Sequence, residues 1–556
     1  MMKRILALLS LALLLAIGTA AQDYTSQFSE AAMRERVKTL SSDAFAGRGP
    51  GTPGGQKAAE YIAAQMRAAG VQPGNGRSYF QPIDFIAMKA DPNTTLHVSG
   101  KNGTEDYRFL DDFVAATGAQ KASVKTRAEL VFVGYGIDSP LFNWNDYKGN
   151  AADFRGKYLM ILVNDPPATE KEPRLFGGDA LTYFGRWTYK YEEAARRGAA
   201  GVILVHTDTS AGYGWNVIRS SNGSWRYEIL RSRSDKTPFL NVRAWATENA
   251  AQKILAQAGL DLNELAKAAR TRDFKPVKTG LTVSLDLESE TKQISSPNVV
   301  GKVAGSDPKL RSEYVVYSAH YDHLGIGEPN KDGDKIYNGA YDNASGVSAV
   351  LGIADVVAKM PVSRRPKRSI FFLFPAAEEQ GLLGAEYYAR HPLVPLARTA
   401  ANINLDGVNF VGKVSDFIAL GANRSSMIGY IESAAKERKY TIKDDPDPGQ
   451  GFFFRSDHFP FAKAGVPAVN FSHGSDFIDK SNKDAAKFLF EYTEKYYHQV
   501  GDEYHDWWDM SAMVQEAEFA LSFGIKIANA PTMPRYNEQD EFARPDALRF
   551  KTAKRK

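Results

Sequence analysis

SAHYDHLG (Ser318–Gly325), NGAYDNASG (Asn338–Gly346), FFLFPAAEEQGLLGAEYYA (Phe371–Ala389) and NINLDGV (Asn402–Val408) decide how this chain is read. Three of the four begin in a short apolar run of strand type, VVYSAH, IFFLFPAAEE and ANINLD, and end on an imidazole or carboxylate. Such runs are buried strands, and the polar residue falls where the strand ends and a loop begins. In open α/β sheets active sites form along that edge. One His and several carboxylates at successive strand ends supply the nitrogen and oxygen ligands that a cation such as Zn²⁺ requires, so the pattern points to a metal site.

Working outward, the segments after Ser295-Ser296-Pro297 alternate strand and helix. Asn298–Val303, Glu313–Ala319 and Ser369–Pro375 read as strands, and Gly346–Ala358 and Gly384–Arg390 as helices. The expected fold is α/β, a doubly wound sheet of mixed strand order. Between Lys121 and Lys292 the composition shifts to β-like runs, AELVFVGYGI, KYLMILVND and AAGVILVH, with the helix YKYEEAARRG leading into the last. That stretch holds no cluster of His and carboxylates. It reads as an inserted, β-rich α/β domain without catalytic residues, in which His206 is a core histidine.

The N-terminal part, 22–120, contains the helix KAAEYIAAQMRAAG, whose Ala59, Ile62, Ala63 and Met66 share one face and whose Gly70 suits a C-cap. This segment is expected to pack on the α/β body at 293–534, and the preceding Gly/Pro loop reads as a connector. Residues 535–556 form a basic tail. Residues 1–21 have a basic start, an apolar run from Ile5 to Ile17 and the small residues Gly18-Thr19-Ala20-Ala21, the plan of a signal peptide, which predicts export to periplasm or medium.

At 556 residues, with 43% hydrophobic and 24% charged residues, the chain can bury several cores. Lys plus Arg number 69 and Asp plus Glu 65, and this +4 balance gives no reason to expect a nucleic-acid partner or a membrane surface. There is no cysteine, hence no disulfide and no thiolate for catalysis or metal binding.

Within the motifs, His320 and Asp322 are two apart on an extended segment and point the same way, so the carboxylate can orient the ring. Asp342 lies in a Gly/Asn-rich turn from which it can bridge two cations. Glu378 and Glu379 are adjacent and point apart. One is suited to bind metal and the other to face water as a general base. His323, His391 and His458 read as structural.

These motifs, followed by Tyr497-His498-Gln-Val-Gly-Asp-Glu503, resemble the M28 family of zinc-dependent exopeptidases over about Ser295 to Pro531. The stretch Gly185–Leu204 resembles the protease-associated (PA) domain that interrupts many of them. The resemblance implies the zinc exopeptidase fold and two Zn²⁺ per chain. His320 and Asp406 would bind one ion, Glu379 and His498 the other, and Asp342 both. It further implies that Asp322 orients His320, that Glu378 is the general base, and that Tyr497 hydrogen-bonds the oxyanion. His505, equal to His498 on chemistry alone, lies beyond the family position.

Peptides are the expected substrates. Relatives similar to glutamate carboxypeptidase clamp a substrate carboxylate with arginines after the Phe-rich motif, whereas Ala464–Asp479 here has neither Arg nor Lys, which favours an aminopeptidase. A carboxypeptidase or dipeptidase, a glutaminyl-cyclase-like acyltransferase with one zinc, and a binding protein without metal are the alternatives.

Overall fold

The computed structural model describes residues 23–327 and 329–553, so the signal peptide expected at 1–21 lies outside the described residues. The chain builds two sheets with separate hydrophobic cores. In the first, the strands run in the order Asn298–Val303, Ser369–Phe374, Tyr314–Ser318, Thr399–Leu405, Ala468–His473, Asp416–Leu420 and Thr441–Lys443, with Gln72–Pro73 at the near edge. The four from Ser369–Phe374 to Ala468–His473 are mutually parallel, and antiparallel neighbours flank them on both sides. This is the mixed, doubly wound α/β sheet expected from the sequence.

Side-chain alternation explains how both faces are covered. Val315, Tyr317, Ile370, Phe372 and Phe374 enter one core, where they meet the helices Gly346–Lys359 and Met510–Asn529. Val316, Phe371 and Leu373 enter the opposite core with Phe459 and Phe461. All six residues of Ser369–Phe374 are buried, which is why that strand reads as a continuous apolar run rather than an alternating one.

From the central strand Tyr314–Ser318 the chain crosses through Gly346–Lys359 to Ser369–Phe374 on one side. It returns through Leu383–Arg390 to Thr399–Leu405 on the other. The strand order therefore reverses at Tyr314–Ser318, and a crevice opens beyond the carboxyl ends of three adjacent strands. His320, Glu378 and Asp406 all follow those ends.

The helix expected near 56–70 runs Pro53–Ala68, and Ala59, Ile62, Ala63 and Met66 face the first core as read. Gly70 follows at φ +83, the left-handed position that ends a helix. The loop before it is more than a connector. Arg48 is 1% exposed and donates to the carbonyls of Leu40, Tyr321, Asn338 and Gly339. It thereby ties together the loops that carry His320 and Asp342.

The second sheet has ten strands drawn from Asp84 to Ser295, including the long strand Val277–Ser295. Its core runs from Leu96 to Leu287. That sheet begins at Asp84, ahead of residue 121 where the inserted domain is expected to start. Gly103–Arg108 is largely exposed and Thr95–Gly100 buries only Leu96 and Val98, a pattern too short to announce either strand. His206 is 3% exposed among Tyr213, Trp215 and Trp245, a core residue as read.

The basic tail expected at 535–556 is, as far as Ala553, folded. Tyr536 and Phe542 join the second core of the first sheet, and Ala543–Ala553 is helical. Two of its arginines, Arg535 and Arg549, pair with Asp546 at 2.7 and 2.9 Å.

Candidate metal centre

The strand ends and two loops bring His320, Asp342, Glu378, Glu379, Asp406 and His498 into one crevice. His320 Nε2 stands 3.2 Å from Asp342 Oδ1 and 3.2 Å from Asp406 Oδ1. On the other side of the same Asp342 carboxylate, Oδ2 is 3.5 Å from His498 Nε2, which lies 2.8 Å from Glu379 Oε2. Asp342 therefore separates two histidine–carboxylate pairs. Two ligand atoms on one tetrahedral zinc, each about 2.0–2.1 Å from it, are roughly 3.3 Å apart, close to the separations found here.

Two further observations fit cations in this crevice. His498 Nε2 is buried and, although 2.8 Å from Glu379 Oε2, has no hydrogen-bond partner, so both atoms aim at a common third point. Carboxylates also outnumber the cationic groups around them, since Asp322, Asp457 and Asp502 are buried beside the residues already named. Like charges so enclosed repel unless a cation is shared among them.

The electrostatics divide the carboxylates. Burial by itself would raise Asp342, but the imidazoles of His320 and His498 on its two sides hold it well below the usual range. Glu379 is brought to about 2 in the same way, against burial and the Asp342 charge, by His498 and His323. Glu378 goes the other way. Burial, with the charges of Glu379, Asp406 and Asp457, pushes it well above the ordinary value. Adjacent glutamates thus have opposite proton affinities, the division expected of a ligand beside a proton acceptor. His320, Glu378 and Asp406 also converge, with one ligand atom each within 4.8 Å of the others, so Glu378 overlooks the His320 side of the crevice.

Supports come from far along the chain. Asp502 accepts the N–H groups of Tyr341 and Asp342 and the hydroxyl of Tyr492, which fixes the turn presenting Asp342. A ladder of donors ends on Asp406. Asn402 donates to Ser318, Ser318 to Asn404, Asn404 to Ser456, and Ser456 to Asp406 Oδ2 at 2.5 Å. Each link points the same way, so the bonds polarise one another towards the carboxylate.

Of the residues expected from sequence, Asp322 behaves differently in detail. The His320 ring Nδ1 faces the Asp322 main-chain oxygen at 3.3 Å and the carboxylate at 3.9 Å, while Asp322 Oδ1 accepts the Glu378 N–H. It holds both neighbours. Tyr497 stacks on His498 at 3.8 Å, is 47% exposed, and its hydroxyl has no partner among the described residues. His505 stacks on Trp507 and Phe488, away from the crevice.

His323, read as structural, donates from Nδ1 to Glu379 Oε1 at 2.7 Å and so belongs to the site. His391 stacks on Tyr387 outside it, and His458 is packed against Phe453. Arg48, Ser456, Asp457 and Asp502 were not singled out from the sequence. Asp457 is fully buried with both carboxylate oxygens unpartnered. The only sequence signal for it is a Ser-Asp-His set inside the aromatic run FFFRSDHFPF.

Comparison with known proteins finds aminopeptidases among the similar chains. A probable leucine aminopeptidase 2 of Aspergillus oryzae is 25% identical over 313 residues, 55% of this chain and 55% of that protein. Aminopeptidase YwaD of Bacillus subtilis is 31% identical over 193 residues, 34% of this chain and 38% of that protein. The chain thus spans about half the length of the curated relatives it matches. The solved structure of an aminopeptidase from Aneurinibacillus sp. strain AM-1 superposes with a TM-score of 0.51 at 20% identity, covering 93% of this chain and 96% of that one, a likeness of fold. The crevice and the strand ends that line it lie within residues 298–522, the stretch that matches the model of peptidase family M28.

Proposed function

We propose that the chain is a two-zinc exopeptidase, an aminopeptidase that removes N-terminal residues from peptides. The observation that carries it is the Asp342 carboxylate standing between the His320–Asp406 and His498–Glu379 pairs. His320 and Asp406 would hold one ion, Glu379 and His498 the other, and Asp342 both. When bound, such a pair polarises a peptide carbonyl and acidifies water.

The chain's own residues supply the proton transfers. Glu378, whose raised proton affinity follows from burial among carboxylates, takes the proton of the attacking water and delivers it to the leaving amine. Asp322 fixes it by accepting its N–H at 3.1 Å. Tyr497, with a free hydroxyl beside His498, is placed to hydrogen-bond the oxyanion. The carboxylate excess around the crevice suits a substrate's free α-ammonium.

The unit from Asp84 to Ser295 is of protease-associated type on this reading. Export follows from the signal-peptide plan of residues 1–21. No helix among the described residues is long and apolar enough to cross a membrane. The test pairs zinc content with a scan of aminoacyl-nitroanilides beside N-blocked peptides. About two zinc ions per chain with cleavage of the free-amine substrates is expected. One ion would favour the cyclase, none the binding protein, and cleavage of blocked peptides alone would overturn the aminopeptidase.

A further inference from the structure

A cavity lies on the seam where the inserted unit meets the peptidase sheet. The seam is close-packed around it. Leu181 donates to the Pro448 carbonyl at 3.0 Å, Lys463 pairs with Glu192 at 2.5 Å, and a Cβ at Gly212, which sits at φ +76, would collide with the Gln450 side chain. The cavity itself measures about 40 Å³ and is lined by Arg186, Trp187, Ser210 and Tyr213 from the inserted unit and by Gln450 and Arg455 from the other. That is space for roughly three waters, the size of one small oxyanion.

Its charge is one-sided. Two guanidiniums line it and no Asp or Glu does. Arg455 reaches only the Gln450 carbonyl, at 2.7 Å, and the ring of Phe452. The Arg186 guanidinium has no hydrogen bond, ion pair or ring contact among the described residues, and lies near the like charge of Arg455. Burial, with that like charge, pulls it down to about 10. The cavity is partly open and Arg455 is exposed at its rim; two guanidiniums on one such space can share a carboxylate or phosphate, because a planar guanidinium matches such oxygens two at a time. Elsewhere on this seam Arg424 pairs with Asp540 and Glu541.

We propose that this seam cavity binds a small oxyanion, a carboxylate or phosphate group, between Arg186 and Arg455. Two sources share that chemistry. Arg455 directly precedes Ser456, whose hydroxyl donates to Asp406, so one arginine of the cavity adjoins a support of the centre that would hold a short peptide. Its C-terminal carboxylate is one source, which rests on the peptidase reading. A free inorganic anion is the other, and it does not. In either case the ligand is gripped by both units, and its presence tightens the seam.

The experiment uses the zinc-loaded full chain as wild type, Arg186→Gln and Arg455→Gln, with inorganic phosphate as the probe in calorimetry and thermal denaturation. Phosphate at the metal centre would be common to all three proteins, so the difference between them is read. Removing either guanidinium deletes its charge-assisted hydrogen bonds to the anion and should weaken phosphate binding about 10- to 100-fold. Since Arg186 has no partner to lose, Arg186→Gln without phosphate should melt at or above the wild-type temperature. Phosphate should then raise the melting temperature of wild type more than that of the variant.

In parallel, kcat/KM is measured for a tripeptide and its C-terminal amide. A fall of about 10- to 100-fold in the acid-to-amide ratio in both variants identifies the substrate's carboxylate as the occupant. An unchanged ratio with weakened phosphate binding identifies a free anion. Equal phosphate binding in all three proteins and an unchanged ratio overturn the site. So does destabilisation of Arg186→Gln without phosphate accompanied by wild-type anion binding in Arg455→Gln. Should no peptide be cleaved at all, the peptidase reading fails, and the phosphate titration still decides the cavity.

Discussion

Glu378→Gln separates a proton acceptor from a metal ligand at the most consequential position in the crevice. The substitution keeps the side chain's size and leaves the main-chain N–H on Asp322 in place, so the fold of the loop should survive. What is lost is the ability to take a proton from water. General-base catalysis contributes about 100- to 10,000-fold, or roughly 2.7 to 5.4 kcal/mol of barrier. Turnover on an aminoacyl-nitroanilide should fall at least about 100-fold, with KM little changed and zinc content unchanged. The geometry makes the zinc measurement decisive. Because Glu378 converges with His320 and Asp406, the competing assignment makes it a ligand of the same ion. A variant that loses an equivalent of zinc would show that assignment to be the right one. A variant that turns over at near wild-type rate would place the base elsewhere.

His498→Ala should bind clearly less zinc than wild type and lose most activity, whereas His505→Ala, whose ring stacks on Trp507, should keep both, as measured by metal analysis and nitroanilide turnover. Arg48→Met strips the buried carbonyls of Leu40, Tyr321, Asn338 and Gly339 of their donor and should cost at least about 3 kcal/mol in denaturant unfolding; a loss under about 1 kcal/mol would mean that water replaces the guanidinium. Glu516 is fully buried, pushed up to about 8 by burial, with one oxygen unpartnered. A folded-state value above the unfolded one gives stability that is complete below the unfolded value of about 4.3 and lost as pH rises through 8, so Glu516→Gln should flatten the fall in melting temperature over that window, and parallel curves for variant and wild type would refute the titration.

Much of the crevice is legible in the sequence because a parallel sheet buried on both faces turns its strands into unbroken apolar runs. The residue that ends each run is then forced to the crevice. Ser369–Phe374 delivers Glu378 and Glu379 in this way, Tyr314–Ser318 delivers His320, and Thr399–Leu405 delivers Asp406. Asp342 is legible for a different reason, the Gly/Asn-rich turn around it. The N-terminal helix is read correctly from its 3.6-residue period and its glycine stop. The start of the second sheet is not, because the hairpin of Thr95–Gly100 and Gly103–Arg108 on the long strand Val277–Ser295 buries only Leu96, Val98 and Tyr107, too few apolar positions to announce two strands. The C-terminal segment fails similarly. Its charge suggests a tail until Asp546 is seen to neutralise Arg535 and Arg549.

The residues that hold the ligands in place escape a linear reading for a deeper reason. A buried carboxylate needs its remaining oxygen satisfied, and the donor is whichever backbone or hydroxyl group the fold brings there. Sequence distance does not enter. Asp502 binds the N–H groups of the Asp342 turn from 160 residues away, and Arg48 reaches the same loop from 290 residues away. Ser456 reaches Asp406 across 50 residues, at the end of a donor ladder that starts on Asn402, a residue whose polarity in the middle of a buried strand is otherwise costly. Those asparagines are the one signal that the sequence carries for these supports. A strand reading Thr-Ala-Ala-Asn-Ile-Asn-Leu, buried at every position, has two amides to place internally, and here their N–H groups pass hydrogen bonds towards Asp406 at the strand's end, while the Asn402 Oδ1 has no partner among the described residues. Polar residues inside an unbroken buried strand thus point to the site as surely as the carboxylate that terminates it.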